Sequence, residues 1–467
     1  MTKNNFRLTW MLVLAGLLVI CGCAHYTVNK ALDTCSAVKG YSFENLSSTE
    51  DADEIFIVLT FSGGGTRAAA LSYGVLEKLR DTVIPGTTKS ILDEVDIIST
   101  VSGGSFTGAY YALFGNRIFA EFKDKFLYRS IEKELMVKLI NPFNWFRLAS
   151  PYYSRIDLAA ELYDKTIFDQ KIFRALAAAN KRPFLIMNAT NLYQGARFEF
   201  TSDQFRYLGS DLLSYPVAKG VASSSAFPFL LSPITLKNYP CKEGSKLDGE
   251  DQSALEDYWI NKRRYYATWN NAIYKNVEDH EFMHLMDGGL ADNLGLRAVY
   301  DLYVRSSIRQ KINDGNIKRF LVIVVNAKTT SPQQVDKRES PPGLITVGYK
   351  TCTLSMDNYT FETVEMFKEL LSKRIKDQKV LYVCQAKLDE HATDGFKLPR
   401  LAGAGLKLYV ADLEFNNLSD EKERDYFNNL PTSFTLEKSE VKALIKVGGQ
   451  LLVENPGFNS FLKDFSN

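Results

Sequence analysis

Short apolar runs alternate with helical patterns along most of this chain. The run at 54–61 is rich in β-branched and aromatic residues and meets three successive glycines, and a helical pattern follows over 68–80. A second unit repeats this order, with a strand at 95–99, a turn at 102–105 and a helix at 106–114. Strands that are apolar on both faces and alternate with helices predict an α/β fold with a mainly parallel central sheet.

The same alternation continues beyond these two units. Two polar stretches, near 236–282 and 328–345, interrupt it, and we interpret them as surface insertions in one domain that covers 54–467. We predict further strands at 183–189, 197–200, 319–327, 379–386 and 407–415, and helices at 296–312, 357–377 and 436–452.

The first 22 residues have the layout of a secretory signal. Lys3 and Arg7 precede an apolar run at 8–20, without any acidic residue, and that run is too short to span a bilayer comfortably. An ordinary cleaved signal and an uncleaved anchor both fit this layout.

The end of that run, Ile20-Cys21-Gly22-Cys23, resembles the lipobox of bacterial lipoproteins. The resemblance implies cleavage of the signal peptide 1–22, lipid on Cys23 and a polar tether over 23–53. It also implies a membrane-anchored protein outside the cytoplasm. Because Ala24 rather than Asp follows the cysteine, that membrane would be the outer membrane in a Gram-negative source.

Composition is that of a globular chain and gives no sign of a nucleic-acid partner. The sequence has 56 Lys+Arg against 55 Asp+Glu, a formal net charge of +1, and 45% hydrophobic residues. It contains only four histidines, which restricts histidine-based catalysis. Besides the lipobox pair, the cysteines are far apart and form no C-x-x-C pair, so their disulfide pairing stays open; they are Cys35, Cys241, Cys352 and Cys384.

Ser102 lies between a predicted strand and a predicted helix, in Thr100-Val101-Ser102-Gly103-Gly104. A nucleophile elbow needs this layout, because the sharp turn holds the serine Oγ clear of the sheet and small neighbours relieve the crowding. The helix N-terminus also favours negative charge that develops nearby. The usual elbow has glycine where this chain has Thr100. A tight structural turn would explain the same residues.

Two other glycine-containing segments could cooperate with Ser102. The glycines after Ser62 expose backbone N–H groups that suit an oxyanion or a phosphate, but no Gly-Lys-Ser/Thr ending of a phosphate loop follows. A dinucleotide fingerprint is possible by spacing, although its last position is Ala68 and such a glycine pattern is weak evidence. Asp287 ends a predicted strand and precedes two glycines, so its carboxylate could approach another loop closely. Asp292 is the more natural helix cap, which leaves Asp287 available.

In this order, the three elements resemble the patatin-like phospholipase family. The segments Asn188-Ala189-Thr190-Asn191 and Ser223-Ser224-Ser225-Ala226-Phe227-Pro228 are similar to two further parts of that family's pattern. The resemblance implies a three-layer α/β/α fold with a mainly parallel sheet, and it implies neither metal nor cofactor. It assigns Ser102 as the nucleophile and Asp287 as the base that activates it directly. The oxyanion hole would be formed by Gly63, Gly64 and Gly65, and Arg67 would lie beside the substrate.

The activity that this resemblance implies is that of a serine lipid acyl hydrolase. It would cleave acyl esters of membrane phospholipids or lysophospholipids through a Ser–Asp dyad and an acyl-enzyme. One alternative is a non-catalytic envelope lipoprotein that uses the same fold as a binding module, and another is a hydrolase of non-lipid esters or peptides. A Ser-His-Asp triad would need His391, the histidine that follows the acid in chain order.

Two other patterns allow more than one interpretation. His280 and His284 have helical metal-ligand spacing, but the H-E-x-x-H pattern is absent and a strand context is favoured. Aromatic and basic residues crowd 141–155, as in a lipid-facing lid or as in ordinary core packing. The oligomeric state is not predicted.

Overall fold

The computed structural model describes residues 29–35, 40–46, 54–150, 153–305, 307–329, 339–390 and 406–465. The predicted signal at 1–22, the lipidation site Cys23 and the triad candidate His391 lie outside these ranges, as does part of the predicted tether.

A central sheet organises the described residues. Its strands coincide with the β-branched and aromatic runs of the sequence, and the inner ones are buried along nearly their whole length because helices pack on both faces. The strands are β1 Ile55–Phe61, β2 Val95–Val101, β3 Phe184–Asn191, β4 Ala196–Glu199, β5 Ile234–Lys237, β6 Phe282–Asp287, β7 Arg319–Asn326 and β8 Lys407–Glu414.

The sheet has the order β5-β6-β3-β2-β1-β7-β8, and β4 pairs with β3 beside this path. The five neighbours β3-β2-β1-β7-β8 pair in parallel. The other three strands pair antiparallel: β4 and β6 with β3, and β5 with β6. The prediction of an α/β fold with a mainly parallel sheet is therefore confirmed. Since parallel strands end at the same edge, β1 and β2 deliver their glycine-rich turns side by side.

Helices occupy most of the remaining described chain. They are α1 Gly65–Arg80, α2 Gly103–Phe114, α3 Ile118–Phe122, α4 Ile131–Ile140, α5 Pro142–Leu148, α6 Arg155–Thr166, α7 Phe173–Ala179, α8 Ser202–Arg206, α9 Val217–Ser224, α10 Gly249–Glu256, α11 Lys262–Ala272, α12 Gly289–Asp292, α13 Leu296–Arg305, α14 Ser307–Asn313, α15 Leu344–Glu390, α16 Glu421–Asn428, α17 Lys438–Glu454 and α18 Pro456–Lys463. Among these described helices, none is both long enough and apolar enough to cross a bilayer.

Two neighbouring residues of β2 show that both faces of the sheet are covered. Thr100 packs against Gly108 of α2, whereas Ser99 donates a hydrogen bond from Oγ to the carbonyl of Gly295 at 2.7 Å, just before α13. Successive strand residues point to opposite faces, so α2 and α13 lie on opposite sides. This is the three-layer α/β/α arrangement.

The C-terminal part of the chain packs directly on α1. Glycines let the two helices approach closely, because a Cβ at Gly74 would overlap the carbonyl of Ile445, and one at Gly448 would meet the carbonyl oxygen of Leu71 at 2.5 Å. The loop between α16 and α17 is thereby placed against the glycines that follow β1.

The predicted strand at 379–386 is wrong. These residues belong to α15, which continues over 47 residues from Leu344 to Glu390. A short run of Val, Leu, Tyr and Cys fits a strand or a helix equally well. Here Val380, Tyr382 and Val383 stay exposed, so burial in the sheet does not favour a strand over continuation of the helix.

Candidate active site

Ser102 lies at the sharp turn between β2 and α2. Its φ of 48° and ψ of −119° place it outside the regions that non-glycine residues favour, a conformation that only the surrounding packing maintains. The following glycines make that packing possible. A Cβ at Gly103 would overlap the carbonyl oxygen of Gly65, and a Cβ at Gly104 would lie 2.7 Å from the carbonyl oxygens of Phe61 and Ser62. The glycine loop and the serine turn therefore touch through their backbones.

The structure brings Asp287 to Ser102. Ser102 Oγ donates a hydrogen bond to Asp287 Oδ2 at 2.9 Å, across 185 residues of sequence. Sheet register explains the meeting. Val101 pairs with Asn188 and Asp287 pairs with Ala189, so the end of β2 and the end of antiparallel β6 stand at the same level of β3.

The Asp287 carboxylate is buried and has few hydrogen-bond donors. Burial raises the pKa of Asp287 to about 7, and hydrogen bonds from the Gly289 N–H, at 2.8 Å, and from Ser102 lower it in part. A carboxylate with this pKa is a far better proton acceptor near neutral pH than an exposed aspartate.

The glycine loop offers fewer free amides than the sequence predicts. The Gly63 N–H donates to the carbonyl of Asn293 at 3.0 Å, so it is already used. Within the described ranges, the N–H groups of Gly64 and Gly65 have no acceptor. Gly64, with φ 137°, and Gly65, with φ 60°, adopt conformations that suit glycine. The geometry therefore leaves Gly64 and Gly65 available to an oxyanion and assigns Gly63 to holding the loop.

Arg67 lies beside the glycine loop, as predicted, but its donors point elsewhere. Nε donates to the carbonyl of Ala327 at 2.9 Å, Nη1 to that of Leu430 at 2.7 Å, and Nη2 to Thr432 Oγ1 at 3.0 Å. Burial lowers the pKa of Arg67 to about 10, so the guanidinium stays charged at neutral pH. Because these three nitrogens are engaged, we reassign Arg67 from substrate contact to support of the loop.

A network of buried hydroxyl groups lies beneath the turn, and the sequence did not indicate its function. Ser224 Oγ accepts from the Ser102 N–H at 2.9 Å and donates to the carbonyl of Asn188 at 2.6 Å. Ser105 Oγ lies 2.9 Å from Ser224 Oγ and donates to Thr100 Oγ1 at 3.0 Å. The only signal of it was the resemblance of 223–228 to a family pattern.

Asn293 is a second residue that sequence reasoning missed. Its carbonyl fixes Gly63, and its side chain fills the space over the Gly63 Cα. A Cβ at Gly289 would lie 2.9 Å from Asn293 Oδ1 and 3.1 Å from Asp287 Oδ1. Asn293 Oδ1 is buried and has no hydrogen-bond partner among the described residues. The available clue in the sequence was its position directly after Asp292, the predicted helix cap. In the structure Asp292 Oδ2 accepts the Arg297 N–H at 2.8 Å.

The two described histidines lie apart from this chemistry. His284 belongs to β6, and its Nδ1 lies 2.9 Å from Thr235 Oγ1 on the paired strand. His280 packs on the rings of Tyr193 and Tyr274. In the part of the chain that the structure describes, no three His, Cys, Asp or Glu residues are grouped as metal ligands.

The Ser102–Asp287 pair is nearly closed to solvent. Ser102 is 7% exposed and Asp287 is 2% exposed. α15 crosses the acid loop, because a Cβ at Gly289 would meet Met356 Cε at 2.5 Å. A large open groove of about 1050 Å³ lies elsewhere, and neither Ser102 nor Asp287 lines it.

Comparison with known proteins places this geometry in context. The family model described as patatin-like phospholipase matches residues 59–300, just over half of the 467-residue chain. A search of the curated proteins found no match.

Two solved structures of human GIVD cytosolic phospholipase A2 are similar to this chain at 12% and 11% identity, with TM-scores of 0.40 and 0.41. Each comparison covers 91% of this chain, which spans 64% and 61% of the human chains, less than two thirds of their length. VipD from Legionella pneumophila is similar at 10% identity and a TM-score of 0.30, over 90% of this chain and 70% of VipD. Similarities this weak do not establish a shared activity.

Proposed function

This chain belongs to the patatin-like phospholipase family, and on that premise we propose that it is a serine lipid acyl hydrolase that works through a Ser102–Asp287 dyad. The observation that carries the proposal is the 2.9 Å hydrogen bond from Ser102 Oγ to Asp287 Oδ2, made by a serine on a strained turn beside free amides. Nucleophile, base and oxyanion donors are thus adjacent without rearrangement of the sheet.

In the first half of the reaction, Ser102 Oγ attacks the ester carbonyl carbon while its proton passes to Asp287 Oδ2. The carbonyl oxygen becomes an oxyanion that accepts hydrogen bonds from the Gly64 and Gly65 N–H groups. The loss of one such donor costs about 2.7–4 kcal/mol of transition-state stabilisation in other hydrolases. Collapse of the tetrahedral species breaks the ester bond, the alcohol leaves with the proton from Asp287, and the acyl group stays on Ser102.

In the second half, water attacks the acyl-enzyme. Asp287 accepts a proton from that water, the oxyanion forms again at the same amides, and collapse releases the fatty acid. The proton then returns from Asp287 to Ser102 Oγ. The raised pKa of Asp287 suits both directions, since the carboxyl group must gain and lose a proton in each turnover.

The substrate class that we propose is the acyl ester of a glycerophospholipid or lysophospholipid. The chemistry needs only an ester carbonyl at Ser102, and the family supports a lipid ester. We further propose that lipid on Cys23 anchors the chain to a membrane outside the cytoplasm, which would bring the site to its substrate.

Labelling with a fluorophosphonate probe tests the nucleophile. Wild type should label and release fatty acid from phospholipid, and Ser102→Ala should do neither. Ser225→Ala is a matched control because Ser225 is a buried serine of the same region that donates to the carbonyl of Val221 at 2.8 Å. Labelling of Ser102→Ala as strong as wild type would refute the assignment. Absence of labelling and turnover in wild type would favour the binding-module alternative.

The base is tested separately. Asp287→Asn should lower kcat by about a thousandfold or more, because the amide cannot accept the serine proton, while His391→Ala should keep wild-type turnover. The reverse result would establish a histidine triad.

The anchor has its own test. Cys23→Ser should move the protein from the membrane fraction to the soluble fraction of the cells that produce it. Unchanged fractionation would remove the lipid anchor from the proposal.

A further inference from the structure

We propose that an apolar rim beside the dyad docks on the surface of a phospholipid bilayer that contains anionic headgroups, and that Glu132 and Ser433 connect this rim to the oxyanion loop. The inference rests on the proposed function and deepens it, since it names how the site meets its substrate. The apolar rim comprises Met136, Val137, Ile140, Phe143, Trp145, Phe146, Phe229, Leu230, Leu344 and Val347.

The main part of the apolar rim is carried by α4 and α5. Single exposed apolar side chains are ordinary on a protein surface, but these two short helices expose six within eleven residues. Val137 is 69% exposed and Phe143 is 83% exposed, while Ile131 is the only buried residue that the structure shows in either helix. Core packing, the alternative interpretation of the aromatic stretch at 141–155, therefore does not account for Phe143, Trp145 and Phe146.

Two more segments bring the apolar rim around the dyad. Phe229 and Leu230 follow α9, whose Ser224 holds the Ser102 N–H. Arg155 Nη1, at the start of α6, donates to the carbonyl of Phe229 at 3.4 Å, and Glu161 of the same helix pairs with Arg147 of α5. On the other side, a Cβ at Gly348 of α15 would lie 2.9 Å from Phe229 Cζ, so the exposed start of α15 continues the same surface.

The charges of α4 favour an anionic lipid surface over a second copy of this chain. Glu134 pairs with Arg129, and Glu132 accepts hydrogen bonds from Ser433 and Phe434. Neutral donors do not cancel the charge of Glu132, and among the described contacts Lys133 and Lys138 have no carboxylate partner. Apart from the Glu134–Arg129 pair, α4 therefore carries two positive charges and one negative charge, a net positive charge. Lys133 lies one helical turn from Val137 and two from Ile140, on the same face. Bases beside exposed Trp and Phe fit the headgroup level of an anionic membrane, whereas two identical faces with a net positive charge would repel each other.

Two successive hydrogen-bond contacts connect the first turn of α4 to the loop that holds the predicted oxyanion donors. Ser433 Oγ and the Phe434 N–H each donate to Glu132 Oε1 at 2.8 Å. The Ser433 carbonyl in turn accepts the Thr66 N–H at 2.9 Å, directly after Gly65. A shift of α4 on a membrane would therefore reach the loop that holds Gly64 and Gly65. Such a shift is useful because Ser102 is only 7% exposed and a lipid needs a wider opening.

Trp145 provides a direct probe of docking in the full chain. Vesicles of phosphatidylcholine and phosphatidylglycerol with brominated acyl chains should quench the fluorescence of wild type, and Trp145→Phe should remove most of that quenching, because bromine quenches only nearby indoles. Equal quenching of both proteins would overturn the docking surface. This readout needs no turnover, so it stands even if the proposed hydrolase activity fails.

Kinetics then test whether docking serves the site. The double variant Val137→Glu with Phe143→Glu should lower hydrolysis of vesicle phospholipid by about tenfold or more, because charged side chains would replace apolar contacts with the acyl chains of the bilayer. It should keep turnover of a soluble short-chain ester within about twofold. The matched control is Val380→Glu with Tyr382→Glu, at exposed apolar positions about 54 Å along α15 from its start by helical rise. It should keep both activities.

Each other outcome counts against the proposal. An equal loss on vesicles and on the soluble ester would mean that α4 and α5 only support the fold, and an equal loss in the control pair would mean a non-specific effect of charge. A wild-type dimer in sedimentation that the rim variant breaks would make a second copy the occupant. For the connection, Glu132→Ala removes the oxygen that accepts from Ser433 Oγ and from the Phe434 N–H. It should reduce the stimulation of soluble-ester turnover by vesicles severalfold while Trp145 quenching persists, and unchanged stimulation would remove Glu132 and Ser433 from the proposal.

Discussion

The hydroxyl and the methyl group of Thr100 have different contacts beneath Ser102. Oγ1 donates to the carbonyl of Ile186 at 3.3 Å and accepts from Ser105 Oγ at 3.0 Å. Cγ2 fills the space that a Cβ at Gly108 would occupy. Thr100 stands where the usual elbow has glycine, and its methyl group fits because Gly108 of α2 has no side chain. Sterically, Thr100 is therefore compatible with a nucleophile elbow.

Gly108→Ala should therefore destabilise the protein by about 1–3 kcal/mol, because the added Cβ overlaps the Thr100 methyl. Adding Thr100→Ser should recover most of the loss, since serine removes the methyl and keeps the hydroxyl. Urea unfolding measures both, with Gly249→Ala, where the Cβ meets nothing within 4 Å, as control. A double variant as unstable as Gly108→Ala alone would show that this contact is not the cause.

The buried carboxyl of Asp287 makes the stability of the protein depend on pH and, under the proposed mechanism, its activity as well. Burial raises its pKa from 3.8 to about 7, so the folded state holds a proton that the unfolded state releases near pH 4. The stability contribution of the protonated form is complete below pH 3.8 and is lost as pH rises through about 7. The proposed mechanism needs the ionised form, so activity should change with pH in the opposite direction.

We expect kcat/KM to rise with pH through a single ionisation near 7, which a pH–rate profile measures. Asp287→Asn cannot ionise, so above pH 7 it should be more stable than wild type by about 1–3 kcal/mol, and this gap should close toward pH 4. Burial also raises the pKa of Asp96 to about 7, but that residue is common to both proteins and cancels in the difference. A gap that is independent of pH would contradict the assignment.

At the scale of elements, the loop between α16 and α17 holds the start of α1. Its Ser433 carbonyl accepts the Thr66 N–H, and the carbonyl of Leu430 and the hydroxyl of Thr432 accept from Arg67. A Cβ at Gly65 would overlap the Ser433 carbonyl. Residues far beyond the matched family region therefore determine where the predicted oxyanion donors stand.

Arg67→Lys should lower kcat by about tenfold or more and stability by about 1–3 kcal/mol, because lysine cannot replace three fixed donors and leaves buried carbonyls unpaired. KM for a soluble ester should stay within about twofold, since Arg67 supports the loop and does not contact substrate. Steady-state kinetics and urea unfolding measure these effects. A raised KM with unchanged kcat would restore the substrate-binding role that the sequence predicted.

At the scale of the whole molecule, a disulfide ties the first described segment to a distant loop. Cys35 and Cys241 are joined across 206 residues, and Cys352 and Cys384 are free. Asn29, in the same segment, donates from Nδ2 to Ser210 Oγ at 2.7 Å and to the carbonyl of Lys237 at 2.9 Å. The segment is thus held to the outer strand of the sheet by covalent and polar contacts.

Removal of this bridge by Cys35→Ser with Cys241→Ser should lower the free energy of unfolding by about 2–4 kcal/mol, because the unfolded chain loses a long cross-link. Urea unfolding of wild type with reductant should reproduce the loss. Cys352→Ser is the matched control and should leave stability unchanged. No loss in the double variant would mean that Cys35 and Cys241 are not joined.

The sequence by itself determined the parts of this protein that depend on neighbours in the chain. The apolar runs that became β1 and β2, the glycine-rich turns after them, and Ser102 and Asp287 as candidates all follow from local patterns, because hydrophobic periodicity and glycine conformation act over a few residues. Short apolar runs remain ambiguous at this range, and 379–386 became helix for that reason.

Only the tertiary structure decided how distant residues combine. The Ser102–Asp287 contact spans 185 residues and the disulfide spans 206. The raised pKa of Asp287, the engaged amide of Gly63 and the buried donors of Arg67 likewise depend on segments that meet through sheet register and helix packing. Burial and hydrogen-bond partners are properties of that packing, and no local pattern in the sequence encodes them.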